Sequence, residues 1–284
     1  MFNEELYEKI YVDCKRIIEL SDDKNIKSKT NKLEQSYKMV IADNDWETQE
    51  FHSIVLELFV YDFLRQKGYN VYARADKNAG PDFYSMELGN IECVSLTMGE
   101  DGTEGREYLE QLLNGMCNRY KAVFPRMSTA IAYKREKYNE YIKRGIVIDN
   151  PRIICVGTAV FSSIMNSDLM HDVIRKILYG IGDQTFTFDM SKHEFIDNNG
   201  HEKHVFDDKI IKNGKIPLEY DYFHKEEYRD ISAIMLINSP IGEPLTEKHC
   251  TLYLNSRAKY PLDYTELEGI KCFYQVGEDE YHIS

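Results

Sequence analysis

The run PRIICVGTAVF at 151–161 is apolar almost without interruption. It is too short to cross a bilayer, which takes about 20 apolar residues in a helix. A strand with one wet face alternates apolar and polar side chains, whereas a strand covered on both faces reads as a continuous apolar run. The run therefore predicts a strand buried between two layers, and the rest of the chain has to supply them. Helices on both faces of a sheet do so.

The flanking segments fit that demand. Residues 3–20 place Leu6, Ile10, Tyr11, Cys14, Ile17 and Ile18 at helical spacing. The polar stretch SDDKNIKSKTNK at 21–32 reads as a loop or a solvated helix end. A long helix is expected from about Asp45, as N-cap, to Lys67, with Phe51, Ile54, Val55, Leu58, Phe59 and Leu64 as its buried stripe. Gly68 would stop it. Short strands follow at 70–74, 81–88 and 90–97, with Gly89-Asn90 as a hairpin turn. Two helices are predicted at about 104–122 and 127–144, the second ending at Gly145, ahead of the buried strand at 151–161. Beyond residue 162 come a short helix at 168–179, polar strand-and-turn sequence to about 222, and two apolar strands at 230–238 and 249–255. This order defines an α/β fold with a mixed central sheet flanked by helices. A single domain over 1–284 is expected: an N-terminal helical segment to residue 45, a core at about 46–161 and a C-terminal extension of the sheet from 162.

Composition matters here for what it excludes. There is no apolar run long enough for a membrane helix, and MFNEELYEKI lacks the basic and apolar regions of a secretory signal. The six cysteines are scattered with no CxxC pair, most among apolar neighbours, so a reduced, cytoplasmic protein is expected. The net charge of −13 argues against broad, sequence-independent affinity for nucleic acid, which needs a basic surface. It does not exclude a local basic patch on an acidic body.

The chemistry concentrates in Gly80-Pro81-Asp82-Phe83 and Ile91-Glu92-Cys93-Val94. One acid follows a Gly-Pro turn at the start of a strand; the other stands in the neighbouring strand, with apolar residues on both sides. A carboxylate among buried strand residues is costly unless it is paired or binds a cation. Two of them on adjacent hairpin strands converge into an oxygen site suited to Mg²⁺, which keeps waters and takes one or two protein carboxylates.

This run resembles the metal-binding signature of the PD-(D/E)XK nuclease superfamily, which includes many restriction endonucleases. The resemblance implies a restriction-endonuclease-like fold in which Asp82 and Glu92, with the backbone carbonyl of Cys93, hold Mg²⁺ (or Mn²⁺). It also implies that an acid on the preceding helix, Glu57 in HSIVLELFVYDFL, completes the site. The family's lysine two residues after the strand glutamate is missing, since position 94 is Val. Some members carry that lysine on a following helix, and RMSTAIAYKREKYNEYIKRG at 126–145 offers Lys134, or Lys137 one turn on, with Arg126 and Ser128 as candidate phosphate contacts. A looser likeness to bacterial sequences takes in SAIMLI and LYLNSRAKYPL and extends it from roughly Phe51 to Leu262. The implied activity is Mg²⁺-dependent hydrolysis of phosphodiester bonds in nucleic acid, with DNA as the first candidate, in restriction or phage defence. Double-strand cutters often pair two sites, so a homodimer is the expected assembly. The alternative is a degenerate nuclease-fold protein that binds nucleic acid or protein without cutting.

Each residue also has a plainer reading. Pro-Asp after Gly is ordinary turn chemistry, Glu92 could pair across a hairpin, Glu57 could be a partly exposed helix acid, and the lysines could be solvated. Their joint occurrence in order favours the site. Other constellations fall away. His201 and His204 with Asp197 and Asp207 match no zinc spacing and read as a polar loop. Ser128, His52 and Asp45 lack a nucleophile elbow, and no Walker A or GxGxxG loop is present.

Overall fold

A computed structural model describes residues 3–43, 49–74, 80–97, 119–147, 149–162, 167–181, 187–189, 194–196, 211–212, 216–217, 220–277 and 281–284. Four helices come first: α1 (Glu4–Leu20), α2 (Lys24–Lys27), α3 (Thr30–Asp43) and α4 (Gln49–Gln66). Strands β1 (Val71–Ala73), β2 (Phe83–Ser85) and β3 (Gly89–Ser95) follow, then α5 (Arg119–Lys143) and β4 (Arg152–Gly157). After α6 (Ala159–Ser162) and α7 (Ser167–Tyr179) come two small antiparallel ribbons, β5 (Thr187–Asp189) with β6 (Glu194–Ile196) and β7 (Ile211–Lys212) with β8 (Ile216–Pro217). The chain closes with β9 (Ala233–Ile237), β10 (Cys250–Leu254), β11 (Lys271–Gln275) and β12 (Tyr281–Ile283).

Eight strands form one mixed sheet in the order β1-β2-β3-β4-β9-β10-β11-β12. β3, β4 and β9 run parallel at its centre, and antiparallel pairs lie towards both edges. All six residues of β4 are buried, and they alternate between two cores. Ile153 and Cys155 join a cluster with α1 to α4, while Ile154 and Val156 join one with α5 and α7. That is the physical meaning of the unbroken apolar run: both faces of the strand are roofed.

Local signals explain several boundaries. Asn3 caps α1 by accepting the Leu6 N–H at 3.1 Å, and two acids occupy the first turn, where the helix dipole favours them. Gly68 ends α4 at φ +87°, which a side chain would resist. Gly145 closes α5 in the same way at φ +67°.

Elsewhere the structure departs from the sequence expectations. The polar stretch at 21–32 is mostly helical: Asp23 caps α2, Ile26 anchors it with no exposed surface, and α3 begins at Thr30. One buried apolar residue and a cap are enough to dock a helix that composition alone makes look solvated. The expected break around Pro125 is absent, because α5 runs through it. Burial of Val123, Phe124, Met127 and Ile131 outweighs the roughly 3 kcal/mol cost of an interior proline. Residues 98–118, which carry most of the helix expected at 104–122, lie outside the described residues, as do Asp45 and the loop at 197–207.

The strand expected to reach Phe161 stops at Gly157, and Val160 and Phe161 are buried from a helical turn instead. The hairpin turn is made by residues 86–88 rather than by Gly89-Asn90, since Gly89 already pairs with Ser85 in the ladder. Gly89 has its own reason to be glycine: φ is +75°, and a Cβ there would stand 2.2 Å from the Pro151 carbonyl oxygen. The C-terminal strands extend the same sheet, with β9 lying directly against β4.

Candidate active site

The β2–β3 hairpin sets the two acids together. Phe83 pairs with Ile91, so one further step in the register brings Asp82 beside Glu92. Ile91 and Cys93 pack under α4, and strand alternation turns Glu92 to the opposite face, towards α5. Asp82 accepts the Cys93 backbone N–H through Oδ2 at 2.8 Å, which fixes its carboxyl against β3.

Glu92 is 3% exposed, and its two oxygens differ. Oε1 accepts from Lys134 Nζ at 2.7 Å, and Lys137 Nζ lies 3.8 Å from the same atom. Oε2 is buried with no hydrogen-bond partner among the described residues. Lys134 is itself 8% exposed. Burial works against its charge, but Glu92 and then Asp82 more than offset that and raise its pKa, so it carries a proton at neutral pH. Its helix is held down one turn on by Tyr138, fully buried, whose hydroxyl reaches the carbonyls of Asn90 and Ile153 at 3.0 and 2.9 Å.

Glu57 comes from the other layer, in the middle of α4, where Leu56 and Leu58 beside it are also buried. Its Oε2 accepts from Lys29 Nζ at 2.5 Å, and both side chains are almost wholly buried. Asp82 lies within reach of both other acids. Burial, then the Glu57 charge, then the Glu92 charge push its pKa up to about 7, against the opposing effects of Lys134 and the Cys93 N–H.

Asp82, Glu92, Lys134 and, at its rim, Lys137 thus form one cluster, with Glu57 as an electrostatic neighbour. Arg126 donates to the Thr97 carbonyl at 2.6 Å, and Ser128 is buried against the Tyr222 hydroxyl at 2.7 Å, a tie inside the second core. Sequence reasoning missed Lys29 and Tyr138. Lys29 sits in a polar stretch whose composition hides it. Tyr138 had a usable signal, four residues after Lys134 and so on the same helix face.

Hard oxygen donors from Asp82 and Glu92, including a buried oxygen with an unused lone pair, fit one divalent cation. Among the described residues, no three His, Cys, Asp or Glu side chains are arranged to hold a metal ion. The five described cysteines are free and buried.

Fold and site define a mixed α/β protein whose eight-stranded sheet carries a buried carboxylate–lysine cluster at the β2–β3 hairpin. Comparison with known protein families, curated proteins and solved structures gives no match, so the geometry carries the functional argument alone. No helix among the described residues is long and apolar enough to cross a membrane.

Proposed function

We propose that the protein is a Mg²⁺-dependent nuclease of PD-(D/E)XK type that hydrolyses phosphodiester bonds in nucleic acid, with DNA as the first candidate. The observation that carries the reading is Glu92: buried, bonded to Lys134 through one oxygen and bare at the other, with Asp82 beside it. Leaving one oxygen of a buried carboxylate unused costs about 1–3 kcal/mol or more, a cost that a bound cation would remove. Asp82 and Glu92 would hold the ion, with the Cys93 carbonyl as a further donor. When bound, Mg²⁺ supplies positive charge beside the scissile phosphate and an acidified water.

The protein's own groups do the rest. Lys134, kept protonated by Glu92 and Asp82, places an ammonium where negative charge grows on the phosphate and on the attacking water. Lys137 is about one-third exposed and stands at the mouth of the cluster, where a phosphate would pass it. Because the net charge is −13, attraction of a polyanion has to come from local cations, and Lys137 is one of them.

Supercoiled plasmid, single-stranded DNA and RNA, each with Mg²⁺, Mn²⁺ or EDTA, test the reading. Cleavage is expected with metal only, and Asp82→Asn should lower it roughly 100-fold or more. Metal-independent cutting, or full activity in Asp82→Asn, would overturn it. A second reading, a silent fold that binds without cutting, draws on Val94 standing where the strand lysine would be; metal binding without turnover on any substrate is its signature.

A further inference from the structure

Beside the carboxylate–lysine cluster stands a large side chain that packs in neither core. Tyr133, the residue before Lys134 on α5, is 59% exposed, whereas Met127, Ile131 and Tyr138 of the same helix are fully buried. Its place relative to the cluster is fixed. Lys134 is bonded to Glu92, and Tyr138, just over one turn on from Tyr133, is bonded to the carbonyls of Asn90 and Ile153. Lys137 is four residues from Tyr133 and so on the same helix face. Its ammonium lies 5.3 Å from the centre of the Tyr133 ring and 3.8 Å from Glu92 Oε1. One ammonium thus joins an open aromatic ring to the acid of the site.

The sheet adds two more rings on that side. Val71, Ala73 and Phe83 pack into the core with α4, so strand alternation turns Tyr72 and Tyr84 the other way, as it turns Glu92. Tyr72 pairs with Tyr84 across β1 and β2, and Tyr84 pairs with Asn90, two residues from Glu92. Tyr72 is 51% exposed and Tyr84 is half-buried. The cluster therefore has a tyrosine on α5 and two more on the edge strands.

The supply of cations decides which polyanion can use this surface. A duplex hides its base faces and is held through its phosphates, which takes many Lys and Arg. The chain has a net charge of −13, and Lys134 is already committed to Glu92. An unpaired base brings its own face, and each base stacked on an aromatic side chain changes affinity roughly five- to hundredfold, whatever the base.

We propose that this site takes a single strand with unpaired bases, and that Tyr133 positions it: one base stacks on the Tyr133 ring while Lys137 holds the adjoining phosphate at the mouth of the cluster. Tyr84 and Tyr72 continue the surface along the sheet edge. The inference rests on the nuclease reading for the cleavage itself and deepens it by naming the form of nucleic acid; strand binding is measured apart from cutting.

The test is fluorescence anisotropy of labelled oligonucleotides with the full chain in EDTA, where the nuclease reading predicts no cutting. Single-stranded DNA or RNA of mixed sequence should bind at least roughly tenfold more tightly than a duplex of the same length. Tyr133→Ala, an exposed position whose folding circular dichroism checks, should weaken single-strand binding roughly fivefold or more and leave duplex binding unchanged. Tyr133→Phe and Tyr133→Trp keep a ring and should restore it. Lys137→Gln should reduce the salt dependence by about one phosphate contact, whereas Tyr133→Ala should leave that slope as it is. Tyr264→Ala removes an exposed ring stacked on Tyr274, away from the site, and should change nothing. Duplex bound as tightly as single strand, no binding of the single strand, wild-type affinity in Tyr133→Ala, or Tyr133→Phe as weak as Tyr133→Ala would each overturn the inference. Mg²⁺-dependent cleavage alongside any of these would leave the nuclease reading standing. Single-strand binding through Tyr133 with no cleavage under any metal would uphold the platform and sink the nuclease.

Discussion

At Asp82 the fold changes the charge state of a carboxyl group, through burial first and then through the charges of Glu57 and Glu92. The Asp82 carboxyl holds a proton more tightly in the folded chain than in the unfolded one, with a pKa raised from 3.8 to about 7. A raised acid pKa favours the folded state below the unfolded pKa, and that contribution is lost as pH rises through the folded value. In EDTA, stability to urea should fall between about pH 4 and about pH 7, and Asp82→Asn should flatten that slope. A slope unchanged in the variant would show that other groups cause it. Lys134 allows a second measurement. Lys134→Met leaves buried Glu92 with only Lys137, 3.8 Å from its Oε1, as counter-charge, which should cost up to roughly 3 kcal/mol in urea denaturation. Adding Glu92→Gln should restore most of that loss, because the uncompensated charge rather than the missing contact is the larger part.

At the scale of elements, the hairpin and α5 are the two pieces that make the site. The hairpin register puts Asp82 beside Glu92, and at the start of β3 Gly89 lets the Pro151 carbonyl approach closely. Gly89→Ala should destabilise by roughly 2 kcal/mol or more, since it combines a positive φ with a backbone clash that no rotamer relieves. Thermal melting reads that loss, and an unchanged melting temperature would mean the strands can part without cost. α5 was legible in part. The helix expected at 127–144 is present, but it begins earlier, and the gap expected after residue 122 lies inside it together with Pro125. A local rule about proline gave way to burial of residues on both sides of it. The polar stretch before α3 failed for the opposite reason, because a single anchor, Ile26, carries little periodic signal.

At the scale of the whole molecule, β9 is the decisive strand. It lies between β4 and β10, and its residues alternate into the same two cores as those of β4. Removing residues 162–284 would uncover a central strand along its full edge and both faces of its neighbours. The fragment 1–161 should therefore show no cooperative unfolding transition, and a cooperative one would mean that the N-terminal half is self-sufficient.

What the sequence determined by itself is what depends on neighbouring residues: the helical stripes, a doubly covered strand within 151–161, the glycine stops at 68 and 145, and the order Glu57, Asp82, Glu92. These follow from periodicity and backbone chemistry, which act over a few residues. The tertiary structure decided which charges meet. Lys29 and Glu57 are 28 residues apart, and Glu92 and Lys134 are 42 apart. Only the docking of the N-terminal helices on one face of the sheet and α5 on the other gives each buried carboxylate its ammonium. No local pattern records that pairing, because its energy comes from desolvation and contact between layers rather than from the chain's own turn of helix or strand.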